Sequence, residues 1–134
     1  MNQPAAFQPG FRLSVTDVIV LMLGAGGAIA AARIDPWLGF AVAFPVAHFF
    51  LFCNVVRMSR PYELVWAAAF VSLAAAQLVL GVPSWPVVFL TCLAVTCVVV
   101  VLQARQPSYH GVFWQRLNPG LAQWWASRQG ANAP

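Results

Sequence analysis

The chain has no lysine, only three acidic residues (Asp17, Asp35 and Glu63) and only two histidines in 134 residues. Charged side chains make up 7% of it, where a soluble domain carries about 25%. So few charges cannot solvate a folded surface, which excludes a separate soluble domain and leaves one domain over residues 1–134. Phosphate loops, H-E-x-x-H and G-x-S-x-G are all missing, as is any Cys/His cluster at metal spacing. A catalytic role therefore has no motif to stand on. No carboxylate sits in the middle of an apolar run, whereas proton-coupled carriers commonly keep one there. Cys53, Cys92 and Cys97 form no C-x-x-C pair and read as small apolar fillers.

What the chain does contain is apolar length. Four runs, Val15–Ala32, Pro36–Val56, Tyr62–Leu80 and Trp85–Ala104, occupy most of it. About 20 residues of helix cross about 30 Å of hydrocarbon. Hydrocarbon offers no partner to a backbone N–H or C=O, so each run is expected to be helical. The fold expected is all-α: an integral membrane protein with four transmembrane helices and a short amphipathic C-terminal helix.

The arginines set the expected orientation. Arg12, Arg57, Arg60, Arg105, Arg116 and Arg128 fall on one side of such a bundle and Arg33 alone on the other. The positive-inside rule then places both termini and the middle loop in the cytoplasm. A net charge of +4 would point to nucleic acid in a soluble protein; here it marks topology, and no nucleic-acid partner is expected. Ala28-Ile29-Ala30 resembles a signal-peptidase site, but the first run is read as an uncleaved helix in a bacterial inner membrane.

Local signals punctuate the runs. Ser14 and Asp17 resemble a capping box, and Asp35-Pro36 reads as cap and first residue of the second helix. Pro45 predicts a kink inside that helix. Glu63 is placed to pair with Arg60 or Arg57, and Asn54 and Gln77 to bond across helices. Thr91 and Thr96 are placed to bond back to their own helix. Gly24, Gly27, Ala28 and Ala31 form a small-residue stripe on the first run, and Ala68, Ser72 and Ala76 another on the third. Small residues let helices approach closely, so these runs are expected to pack on each other or on another subunit. The valine-rich fourth run reads as a wall facing lipid or a partner.

His48 is the one ionisable side chain well inside a run, apart from the cysteines. Phe40, Phe44, His48 and Phe52 recur every four residues and share a helix face. A neutral imidazole ringed by phenylalanines suits haem, a chlorophyll-type pigment or a quinone. His48, Phe44 and Phe52 are thus the candidate cofactor residues, with no metal ion expected otherwise. The plainer reading is a histidine bonded to a neighbouring backbone or side chain. His110 lies beyond the fourth run and cannot join His48 on one haem iron, so any haem would sit at a subunit boundary.

The tail, residues 105–134, is rich in aromatics. Asn118-Pro119 reads as cap and first residue of a short helix, with Leu121, Trp124 and Trp125 on one face. With Trp114 they suit a headgroup layer or a neighbouring subunit. The leading functional expectation is a non-catalytic accessory or anchor subunit of a bacterial redox or energy-conversion complex, its partners being other membrane subunits and the bilayer. Two alternatives are a self-contained haem- or quinone-binding redox protein and a homo-oligomeric small transporter or channel.

Overall fold

A computed structural model describes residues 7–131. They are helical, with no strand: α1 (Val15–Ala32), α2 (Pro36–Phe50) continuing as a π-helical segment (Leu51–Val56), α3 (Arg60–Leu80), α4 (Trp85–Ala104), α5 (Trp114–Leu117) and α6 (Leu121–Ala131). Four of these, taking α2 with its π extension, are long and apolar enough to cross a membrane.

The helix starts follow from local chemistry. Asp17 Oδ2 accepts from the Ser14 backbone N–H at 2.7 Å, while the Ser14 hydroxyl oxygen accepts from the Asp17 N–H at 3.2 Å, closing the capping box. Asp35 accepts from the Trp37 N–H at 2.6 Å with Pro36 in the first turn of α2. Ser59 precedes α3 but does not cap it with its side chain. Its N–H and hydroxyl both donate to Oε1 of Gln103, at 3.2 and 2.9 Å, so the end of α4 holds the start of α3.

Helices pair as neighbours in sequence: α1 lies on α2 and α3 on α4. The α1–α2 contact uses the α1 stripe as a seat. A Cβ on Gly24 would meet the Val46 side chain at 2.7 Å, and one on Gly39 would meet Ala32 Cβ at 2.5 Å and the Ala28 carbonyl at 3.0 Å. Within the chain, then, α1 meets α2 rather than α3. The stripe on α3 points elsewhere, with Ala68 and Ser72 exposed. Three residues, Arg33 to Asp35, join α1 to α2, and the short connection makes antiparallel neighbours of them.

The second helix departs from α geometry at Leu51–Val56 rather than at Pro45, which sits within the regular α2. The widened turn ends at Arg57, in the left-handed region at φ 53°. Phe52 O accepts from the Met58 N–H at 2.8 Å and also from the Arg57 N–H. The core lies where this stretch meets α3 and α4: Phe52, Val56, Trp66, Phe70, Val88, Cys92 and Val99 are buried. Along α4, Val88, Cys92, Thr96, Val99 and Gln103 recur at helical spacing and face inward, so α4 is an element of the core as well as an outer wall.

Glycine at 39 is a steric requirement of the α1–α2 contact. Gly39→Val should lower stability by about 1–3 kcal/mol through overpacking. Gly26, with nothing within 4 Å of a Cβ, should accept alanine without loss. Unfolding of the detergent-solubilised chain, followed by circular dichroism, checks both.

Candidate functional site

Two places concentrate polar side chains. The first is the aromatic stack at the centre of the bundle. The His48 ring centroid lies 4.2 Å from that of Phe44, 4.5 Å from Trp66 in a stacked arrangement, and 5.6 Å from Phe52. Its Nδ1 is 2.8 Å from the Phe44 carbonyl one turn back. A carbonyl only accepts, so Nδ1 carries the hydrogen and Nε2 is the bare nitrogen of the neutral ring. Trp66 Nε1 donates to Thr96 Oγ1 at 2.8 Å and to Cys92 O at 3.2 Å, while the Thr96 hydroxyl donates to the same Cys92 carbonyl at 2.8 Å. Trp66 also stacks on Phe70.

This arrangement bears on the expected cofactor. Phe44 and Phe52, read as walls of a pocket around His48, pack against the imidazole itself. His48 is 7% exposed, and Trp66 fills further space beside it. Within the chain the rings of Phe44, Phe52 and Trp66 are the neighbours of the imidazole. The imidazole is one ring in a stack, with one nitrogen bonded to its own helix.

The second place is the arginine-rich end. A helix leaves its last carbonyls without intrahelical partners, and the end of the second helix recruits them from both tails. The Arg12 N–H donates to Asn54 O at 3.2 Å and the Val112 N–H to Val55 O at 2.9 Å. The Asn54 side chain is 2% exposed, and its amide donates to the Arg12 carbonyl and, at 2.9 Å, to Asp17 Oδ2. Asn54 thus bonds across to α1, as expected. Gln77 bonds into the loop instead, to the carbonyls of Gly81 and Pro83.

The tails also hold each other. The Gly10 N–H donates to His110 O at 2.7 Å, and Arg57 donates to the Gln8 carbonyl. Phe7 packs on Trp114 and Trp125, with centroids 6.0 and 5.7 Å apart. Leu121 is fully buried, while Trp124 and Trp125 are half-buried, with Arg128 over the Trp124 ring at 5.1 Å. The described tail residues dock on their own chain. Asn118 does not cap α6, which begins at Leu121; its amide donates to the carbonyls of Pro107 and Tyr109, at 2.7 and 3.1 Å, and pins the loop. Tyr109 is buried, its hydroxyl donating to Val112 O at 2.8 Å, and burial pushes its phenol above the ordinary value. Residues 1–6 and 132–134, the outer parts of the two tails, lie outside the described residues.

Between the middle loop and this tail lies a cavity of about 450 Å³ lined by Cys53, Arg57, Ser59, Arg60, Glu63, Gln103, Ser108 and His110, with Phe49 and Met58. Arg60 and Glu63 approach to 4.0 Å across a wet surface, where such a pair is worth little. The Cys53 thiol faces Glu63 Oε1 at 3.7 Å. Burial and the nearby Arg12 guanidinium lower the Arg57 pKa from its ordinary value. Among the described residues Arg57 has no carboxylate partner, its bond going to a backbone carbonyl. A second, apolar cavity of about 220 Å³ opens between α2 and α3, lined by Pro45, Phe49, Phe52, Cys53, Glu63, Trp66 and Ala67. The two share Phe49, Cys53 and Glu63. The sequence pattern does not show this site because its lining is spread over residues 49–110 and only the returning tail brings Ser108 and His110 to Arg57 and Arg60.

Gly111 is what lets the tail return: a Cβ there would run into the carbonyls of Val55 and Val56 and the Tyr109 hydroxyl. Gly111→Ala should detach the loop and speed tryptic cleavage at Arg105 and Arg116, read by mass spectrometry of timed digests, with helix content unchanged. Comparison with protein-family models, with curated proteins and with solved structures finds no match for this chain.

Proposed function

We propose that this chain is a four-span protein of a bacterial inner membrane, with cytoplasmic termini, that serves as a non-catalytic accessory subunit of a larger membrane complex. The observation that carries this reading is the bare state of α1. No residue of α1 is buried, and its main contact is with α2. Met22, Leu23 and Ile29 are exposed, as are Gly26 and Ala30, four apart on one face. Ala68 and Ser72 repeat the pattern on α3. Lipid tails gain little from a small-residue face, whereas another helix gains close contact. Gly26 and Ala30 were not singled out by the sequence pattern, which lay on Gly24 and Gly27, the glycines turned to Val46 and Val42.

The polar groups of the core support a packing role. Trp66 donates across to Thr96 on α4, while His48 and Thr96 donate to carbonyls of their own helices. The redox or energy-conversion character of that complex is part of the same proposal: among the described residues Nε2 of His48 makes no hydrogen bond, and it is the atom that a cofactor at a subunit boundary would meet.

Native mass spectrometry of the chain, drawn from its own membrane in mild detergent, tests the reading. A hetero-complex is expected, and Gly26→Leu should reduce partner recovery several-fold while leaving the isolated chain's unfolding midpoint unchanged. Recovery of the chain alone, or of identical copies only, would overturn it.

A further inference from the structure

The cavity at the arginine-rich end and the groove beside it form one feature with a polar head and an apolar tail. The head brings together two guanidiniums, Arg57 and Arg60, against the single carboxylate of Glu63, with the Ser59 and Ser108 side chains nearby. Arg57 has no carboxylate partner among the described residues, and the Arg60 side chain is 91% exposed at the limit of ion-pair distance. The groove begins at Phe49, Cys53 and Glu63, which it shares with the cavity, and runs between α2 and α3 past Phe52 and Trp66. Positively charged room lies at the helix ends and apolar room lies along the helix sides. An inorganic anion would fill the first and leave the second unused. A neutral amphiphile would fill the second and leave the two arginines with only Glu63 to balance them.

We propose that this feature is a binding site for one anionic phospholipid, its phosphate between Arg57 and Arg60 and one acyl chain in the groove between α2 and α3. The proposal rests on the membrane-embedded reading above. Basic clusters at the cytoplasmic ends of membrane helices recognise anionic headgroups, each arginine near the surface adding to the attraction. Glu63 opposes it, being close enough to Arg60 to compete with a phosphate. The two side chains therefore carry opposite signs of effect.

Delipidated full-length chain in mild detergent, titrated with phosphatidylglycerol or phosphatidylcholine and read by native mass spectrometry, tests this. One phosphatidylglycerol per chain should bind, at least fivefold more tightly than phosphatidylcholine. Arg60→Gln should weaken it about fivefold and Glu63→Gln should tighten it. Both substitutions lie at the cavity rim, and circular dichroism confirms that each variant is folded. Equal binding of the two lipids, or affinities untouched by both substitutions, would overturn the site. Displacement by millimolar inorganic phosphate would show a free-anion site and overturn it too. Alkaline extraction of the native membranes separates the two readings: release of the chain would remove the embedded premise and this site with it, whereas lost lipid selectivity in a retained chain defeats this site alone.

Discussion

The carbonyls at the end of the second helix are the constraint on which the rest of this structure depends. They fall where a helix stops, and each needs a donor. Asn54 O and Val55 O find theirs in the Arg12 and Val112 N–H groups, from segments on either side of the helical bundle in sequence. The π turn over Leu51–Val56 and the left-handed Arg57 end the helix so that both donors can reach it. Once Arg12 is fixed there, Ser14 and Asp17 start α1 close by, and Asn54 bonds to Asp17 across the gap. Once Val112 is fixed, Gly111 lies against the helix end and Tyr109 and Asn118 close the loop above it. Both tails thus serve backbone chemistry first.

The aromatic stack works by a different logic. The rings of Phe44, His48, Phe52, Trp66 and Phe70 give α2 and α3 contact area through flat faces, each pair contributing about 0.5–1.5 kcal/mol beyond simple burial. Most polar atoms of the stack are bonded, Nδ1 of His48 to its own helix and the Trp66 indole N–H to Thr96 and Cys92, and Nε2 of His48 is left bare. In an apolar medium an unmade hydrogen bond costs several kcal/mol, so the Trp66 bonds fix the register of α3 against α4, while the His48 bond holds its ring against its own helix. The same histidine that looks isolated in the sequence is satisfied locally, four residues back.

Much of this was legible in the residues, and the rest for physical reasons was not. Helix bounds followed from apolar length and caps, and Val15–Ala32 and Trp85–Ala104 coincide with the runs read from the sequence. The Ser14–Asp17 box, the Asp35 cap and the Thr96 back-bond are contacts over four residues or fewer, set by spacing alone. Pairing of helices is set by which faces meet, and a small-residue stripe says that something comes close without saying what. Hence α1 was expected on α3 or on another subunit, and within the chain it lies on α2. Asn118 shows the same limit: Asn-Pro has the local form of a helix cap, but the competing carbonyls of Pro107 and Tyr109 come from a loop folded over it. The cavity at the arginine-rich end escaped for the same reason, since His110 meets Arg57 only through the returning tail.

The sequence of contacts also explains why one helix is left bare. The second helix is covered twice, by α1 along one side and by α3 and α4 along the aromatic side, while α3 and α4 lean on each other through Trp66, Cys92 and Thr96. The first helix touches this group through Gly24, Gly27 and the close approach at Gly39. A helix whose glycines are already used on one face gains further contact only from outside the chain, and Gly26 with Ala30 offers that at little steric cost. Close packing between helices, which within a bilayer takes over from the hydrophobic effect as the source of affinity, is satisfied internally for α2, α3 and α4. For α1 it is satisfied by half.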